Sequence, residues 1–163
     1  MIASRRQLLA LGAGAALGAT LVVTMRAALA AAPAAFAAPA LPPVEVWKSP
    51  TCGCCAKWVE HLEANGFKVQ VRDQGNTVAR QRAGIAQALG SCHTALVGGY
   101  AIEGHVPAAD ILRLLRERPV AIGLAVPGMP IGSPGMEQGN QRDRYDVLLV
   151  ARNGKTSVFA THQ

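Results

Sequence analysis

The hydrophobic patterning of this chain predicts an α/β domain ordered β-α-β-α-β-β-α, followed by a Gly/Pro/Met loop and a β-hairpin extension. Three observations lead there. Residues 44–47 and 67–72 alternate apolar and polar groups and flank a stretch with apolar groups at helical spacing, the pattern of a βαβ unit. Residues 94–97 and 100–103 are β-rich and are separated by Gly98-Gly99, a two-residue hairpin signal. Residues 108–118 form the clearest amphipathic helix, and Pro119 stops it.

Taken in order, the chain begins with a targeting pattern. Residues 1–37 combine a basic start, an apolar middle from Leu8 to about Thr24, and an alanine-rich end with the small-x-small site Ala35-Phe36-Ala37. Ser4-Arg5-Arg6-Gln7-Leu8-Leu9 resembles the twin-arginine export motif, which implies an exported, periplasmic protein that crosses the membrane already folded. Glycines and alanines dominate 11–19, so a cleaved signal is favoured over a stable membrane span. Residues 38–43, rich in proline, read as a linker, and 44–163 as the folded domain. The net charge of +6 includes Arg5, Arg6 and Arg26 of the leader and no acid from it, leaving +3 for the remainder. That charge is scattered and weak, which argues against a nucleic-acid partner. Arg80/Arg82 and Arg116/Arg118 read as solvated helix faces.

After the first strand the helix spans 56–65, with Trp58, Val59 and Leu62 inward and Asn65-Gly66 as its end. Strand 67–72 follows. Asn76 or Thr77 caps a second helix that runs to Leu89, with Val78, Ile85, Ala86 and Leu89 inward and Gly90 closing it. In the helix of 108–118, Ile111, Leu112, Leu114 and Leu115 face inward. Residues 123–137 repeat Pro-Gly-Met, at 127–129 and 134–136, in a segment read as loop because glycine and proline disfavour helix and central strand. Residues 145–150 and 156–160 flank Asn153-Gly154 as a second hairpin. Trp47 and Trp58 read as core, and His162 as a surface or structural histidine.

The chemistry concentrates in Cys52-Gly53-Cys54-Cys55, where three of the four cysteines fall within four residues at a strand-to-helix turn. Free backbone N–H groups and the macrodipole at a helix N-terminus favour thiolate, which is both the nucleophile of disulfide exchange and a ligand for soft metals. Four cysteines in an exported chain often pair as two structural disulfides. Three of them packed this closely make that arrangement awkward.

Trp47-Lys48-Ser49-Pro50-Thr51-Cys52-Gly53-Cys54-Cys55 resembles the start of a glutaredoxin, with Cys52 and Cys55 at the C-x-x-C spacing, and the element order resembles a thioredoxin-like domain. Cys92-His93-Thr94-Ala95-Leu96-Val97-Gly98-Gly99 resembles the segment in which that fold carries a cis-proline before its hairpin. Here His93 stands in the proline's place. The resemblance implies that Cys92 and His93 meet Cys52, Cys54 and Cys55 in space. The C-G-C-C motif, the Cys-His pair and the paired Pro-Gly-Met loop together resemble a family of exported bacterial CxCC metal-binding proteins, known as a domain of unknown function, that includes the copper-resistance protein CopG. The resemblance runs from about Val44 to His162 and implies a thioredoxin-like fold and copper handling in the periplasm.

Soft sulfur ligands suit Cu(I), zinc or iron–sulfur clusters. Adjacent cysteines crowd a single tetrahedral zinc, whereas bridging thiolates of a multinuclear Cu(I) site accommodate them, and thioethers suit Cu(I) better than zinc. The expected ligands are therefore Cys52, Cys54, Cys55 and Cys92, with His93 as nitrogen ligand and Met129, Met136 or His105 as capture or outer ligands. Lys48 and Lys57 flank the thiols as cations that either favour thiolate or are simply solvated. On this reading the partners are copper ions and periplasmic copper donor or acceptor proteins. The competing reading is a thiol–disulfide oxidoreductase built on Cys52 and Cys55.

Overall fold

The computed structural model describes residues 40–163. The leader, its cleavage site and the first two linker residues lie outside the described residues. Ala40 to Pro43 is irregular and feeds β1 (Val44–Lys48), followed by α1 (Gly53–Ala64), β2 (Val69–Arg72) and α2 (Thr77–Arg82). A single 3-10 turn, Gln87–Leu89, precedes β3 (His93–Val97), β4 (Tyr100–Glu103) and α3 (Ala108–Glu117). The chain ends with β5 (Ala121–Ala125), β6 (Tyr145–Ala151) and β7 (Thr156–His162). No helix among the described residues is long and apolar enough to cross a membrane.

All seven strands join one sheet in the order β2-β1-β3-β4-β5-β6-β7. β1 pairs with β2 in parallel across α1, and β4 with β5 in parallel across α3; the other four pairings are antiparallel. Both parallel pairs have a helix as crossover, as the connection between parallel strands requires. α1 and α3 cover one face. Trp58 and Leu62 of α1 and Ile111 and Leu114 of α3 are fully buried against Val44, Val46, Val97, Ile102 and Leu124 of the sheet. The other face carries a smaller cluster, Ile85, Ala101, Ala125 and Val150.

Four expectations need correction. α1 begins at Gly53, not 56, so Cys54 and Cys55 belong to its first turn. α2 ends at Arg82 because Gly84 takes a positive φ of 77°, which breaks the helical path. Its intended inner face survives only in part: Ile85 is buried and Leu89 packs beside it, but Val78 is 58% exposed and Ala86 is exposed, while Arg80, read as solvated, is buried. The stretch opening at Gly123 is not all loop, because 121–125 is the central strand β5. A Cβ at 123 would collide with the Ala101 carbonyl oxygen, so glycine is there for close approach to β4, not for a turn. Finally, Trp47 is only half-buried, on the face that the short α2 leaves open.

Candidate metal centre

The first half of the site is local. Ser49 accepts the Cys52 N–H at 3.1 Å, closing a turn that brings Cys52 to the N-cap of α1 with extended backbone, φ −77° and ψ 95°. Its carbonyl starts the helix by accepting the Ala56 N–H at 3.2 Å. No side chain caps this terminus, so the N–H groups of the first turn are left without a side-chain acceptor. Cys52 and Cys55 are joined as a disulfide, and Cys54 and Cys92 are free.

The second half is assembled from distance. Antiparallel pairing of β1 with β3 sets Lys48 opposite His93, which brings the start of β3 to the cysteine turn. Cys54 Sγ lies 3.6 Å from Cys52 Sγ and 3.9 Å from Cys92 Sγ, and Cys55 Sγ lies 3.6 Å from the Cys92 carbonyl oxygen. The four sulfurs fall within 4.8 Å of one another. A second set of ligating atoms, Cys92, His93 and His105, meets the same limit and shares Cys92 with the first.

Two imidazoles lie beside Cys92. His105 is fully buried; its Nδ1–H donates to the Pro134 carbonyl at 2.8 Å, which fixes the tautomer and turns the Nε2 lone pair to Cys92 Sγ, 3.1 Å away. His93 packs between Trp58, 4.2 Å between ring centroids, and His105, 4.9 Å. Its Nδ1 is 3.5 Å from Cys92 Sγ, and its buried Nε2 has no hydrogen-bond partner. An orphaned buried nitrogen is costly, and a bound cation is one way of satisfying it. Burial, then the neighbouring His105, pushes His93 down to about 3. Burial lowers His105 as well. Both rings are therefore neutral, the ligand form. Burial and then the adjacent Cys54 push the Cys92 thiol up to about 12, so Cys92 keeps its proton until a cation offsets both effects.

The Pro-Gly-Met loop closes over the cluster at two points. Ser91 donates its hydroxyl to the Gly128 carbonyl, tying the first repeat to the residue before Cys92. A Cβ at Gly135 would lie 2.6 Å from the Cys54 carbonyl, so the second repeat rests directly on the first turn of α1. Met129, beside the first contact, is 52% exposed, and Met136, beside the second, is half-buried. That these glycines, more than the methionines, touch the site was not foreseen from the Pro-Gly-Met pattern.

The remaining candidates fall elsewhere. Lys48 is turned to Asp73 at 2.7 Å, not to sulfur, and Lys57 is exposed. His162 is 2.6 Å from Asp110 and stacks on Tyr145. Sequence reasoning missed His61, whose Nε2 accepts the Ala108 N–H at 3.1 Å and so caps α3, where Pro107 has no side chain able to do so.

Such a domain, an α/β sheet that gathers four sulfurs and, sharing Cys92 with them, two neutral imidazoles, defines a protein with a cluster capable of binding a soft metal. The pattern of a family described as "Protein of unknown function, DUF411" matches residues 89–136, which hold Cys92, His93 and His105. Two solved structures titled copper resistance protein CopG, Form 1 and Form 2, are similar to this chain. Form 1 is 49% identical over 75% of this chain and 98% of that one, with a TM-score of 0.70. Form 2 is 48% identical over 76% and 99%, with a TM-score of 0.71. None of the curated proteins matches. The chain belongs to the DUF411 family, with the copper resistance protein CopG as a relative.

Proposed function

We propose that this protein handles copper in the periplasm, holding Cu(I) through Cys52, Cys54, Cys55 and Cys92 and serving copper tolerance by sequestering or delivering it. One observation carries the reading: sulfurs thirty-eight residues apart in sequence, those of Cys54 and Cys92, stand 3.9 Å apart. A bridging cation with bonds of about 2.3 Å spans that gap. The kinship with copper resistance protein CopG supports copper as the metal. Because Cys92 belongs to both ligand sets, thiolates and imidazoles together offer more donors than one Cu(I) takes, which supports a multinuclear site over one tetrahedral zinc. His93 and His105 supply nitrogen, and Met129 and Met136 act as capture ligands at the rim. The frame is thioredoxin-like, with 1–37 as a twin-arginine-type signal, 38–43 as linker and 44–163 as the metal-binding domain. Copper arrives from and leaves to periplasmic donor and acceptor proteins.

Reduction of the Cys52–Cys55 disulfide supplies two of the four thiolates, so loading requires the reduced state. An anaerobic Cu(I) titration of fully reduced protein against a chelator, with elemental analysis and native mass, tests the reading. Tight stoichiometric Cu(I) binding that survives excess zinc is expected; no binding overturns it.

The disulfide also favours a second reading, an oxidoreductase. Forming it from two thiolates releases two electrons, enough to reduce two Cu(II) to two Cu(I) or one substrate disulfide to two thiols. Cys54 Sγ, 3.6 Å from Cys52 Sγ, is placed to attack that disulfide. Addition of Cu(II) to reduced protein distinguishes the two readings. Loss of two thiols per two Cu(I) formed supports oxidoreduction, and unchanged thiol counts support binding alone.

A further inference from the structure

We infer that Asn76, Arg80 and Glu103 form a polar clamp that positions Cys92 against Cys54, and that this clamp sets how tightly the cluster holds its cation. The inference rests on the metal-binding reading above. It starts from the backbone of Ser91, the residue before Cys92, which lies outside every strand and helix. Both of its backbone groups are held by side chains. The Ser91 N–H donates to Glu103 Oε1 at 2.7 Å, and its carbonyl accepts from Asn76 Nδ2 at 3.1 Å and Arg80 Nη1 at 3.3 Å. On the far side of Cys92-His93, the Thr94 hydroxyl donates to Glu103 Oε2 and accepts from Asn76 Nδ2 at 3.2 Å. The Cys-His pair is thus bracketed by the same two side chains.

The clamp is built deep. Glu103 is fully buried and Arg80 is 6% exposed, and their charges meet at 3.2 Å. Arg80 Nη2 is further fixed by Gln87 Oε1 at 3.0 Å. Asn76 and Arg80 stand four residues apart, on one face of the short α2. Room is cleared for them: a Cβ at Gly90 would lie 2.9 Å from Arg80 Nη1, and one at Gly104 would lie 2.7 Å from Ser91 Cβ. A buried ion pair is a poor source of stability, since well-packed apolar residues often replace such pairs without loss. What apolar residues cannot do is hold the Ser91 peptide in place. Bridged sulfurs tolerate little: with bonds of about 2.3 Å they cannot stand more than about 4.6 Å apart. Cys92 has no regular backbone ladder of its own to hold it there.

Stability and positioning separate in the variant Arg80→Met/Glu103→Leu. Two probes read the position. In a Cys52→Ser/Cys55→Ser background, phenylarsine oxide, which needs two neighbouring thiols, reports the Cys54–Cys92 spacing; in the otherwise native chain, Cu(I) competition reports the cluster. The double variant is expected to stay folded yet lose about tenfold in both, while Glu103→Gln, which keeps an acceptor for the Ser91 N–H, stays within about threefold. A folded double variant with parental capture of both probes overturns the clamp. If the double variant does not fold, Asn76→Ala decides: capture weaker by about threefold or more supports the clamp, and parental capture overturns it. A parent that captures the arsenical but no Cu(I) removes the copper reading and leaves the clamp standing.

Discussion

The two halves of the cluster are built in opposite ways. The α1 corner is local: Cys52, Cys54 and Cys55 are held by a turn and the first turn of one helix, and a disulfide can close within it. The β3 corner is convergent: Cys92, His93 and His105 meet through strand pairing, a buried ion pair and the Pro134 carbonyl. The α1 corner is open on one side, since a Cβ at Gly53 would meet nothing within 4 Å, while Gly135 closes it at the Cys54 carbonyl. The β3 corner has no such opening. A motif of four residues therefore makes a reactive group anywhere a helix starts, whereas turning it into a specific cluster takes a whole sheet.

The largest effect should follow from breaking the join between the halves. Cys92→Ser removes the thiol common to both ligand sets, and we expect Cu(I) affinity to fall by about a hundredfold or more. The Cys52–Cys55 couple should keep its reduction potential, since neither sulfur is touched. Chelator competition and a thiol redox titration on one preparation check both. A potential displaced by more than about 30 mV would mean that the corners act as one unit.

Next comes the packing that carries the β3 corner. Gly123→Ala forces a Cβ into the Ala101 carbonyl, prying β5 from β4, the strand that delivers Glu103. We expect a loss of about 3 kcal/mol or more in urea unfolding, in the range of severe overpacking, together with weaker metal binding.

How much of this was legible follows the same division. The C-x-x-C spacing, the βαβ unit, the Gly98-Gly99 hairpin and the α3 helix are short-range patterns, and all appear, with the boundaries of the βαβ unit moved by two or three residues. The meeting of Cys92 with Cys54 came from resemblance to a known fold, since no periodicity encodes a contact across thirty-eight residues. β5 was hidden because Gly123 looks the same whether it serves a turn or a close strand contact. Arg80 was misjudged for a related reason: an arginine reads as solvated until its buried partner, Glu103 on another strand, is seen.

The corners should also differ in their response to pH. His93, His105 and, more weakly buried, His61 all have pKa values lowered from 6.5, with burial the leading cause. Below 6.5 the unfolded chain binds more protons at these sites than the folded one, so their contribution is complete above about 6.5 and is lost as pH falls through the lowered values. Cys92 runs the other way. Its thiol is raised from 9.0 to about 12, so its contribution is complete below 9 and is lost as pH rises towards 12. The disulfide cysteines do not titrate. Metal-free, disulfide-bonded protein should thus show a stability plateau between about pH 6.5 and 9, with both limbs set largely by the β3 corner. Urea midpoints across pH 4 to 10 check this. Cys92→Ser should flatten the alkaline limb, and His61→Gln should soften only the acid one.

The smallest effect is the sharpest test of the α1 corner. Gly53 is the first helical residue, has no positive φ and faces open space, so alanine there relieves the entropic cost of glycine in a helix. We expect Gly53→Ala to stabilise by about 0.5 kcal/mol, with Cu(I) affinity within about threefold of the parent. Were the corner a mere redox hinge, the result would end there. A clear loss of metal binding or delivery at unchanged stability would instead mean that something must approach the backbone between Cys52 and Cys54, through the space that glycine leaves open. An acceptor protein presenting its own thiolate at the rim is the partner that such a gap would admit.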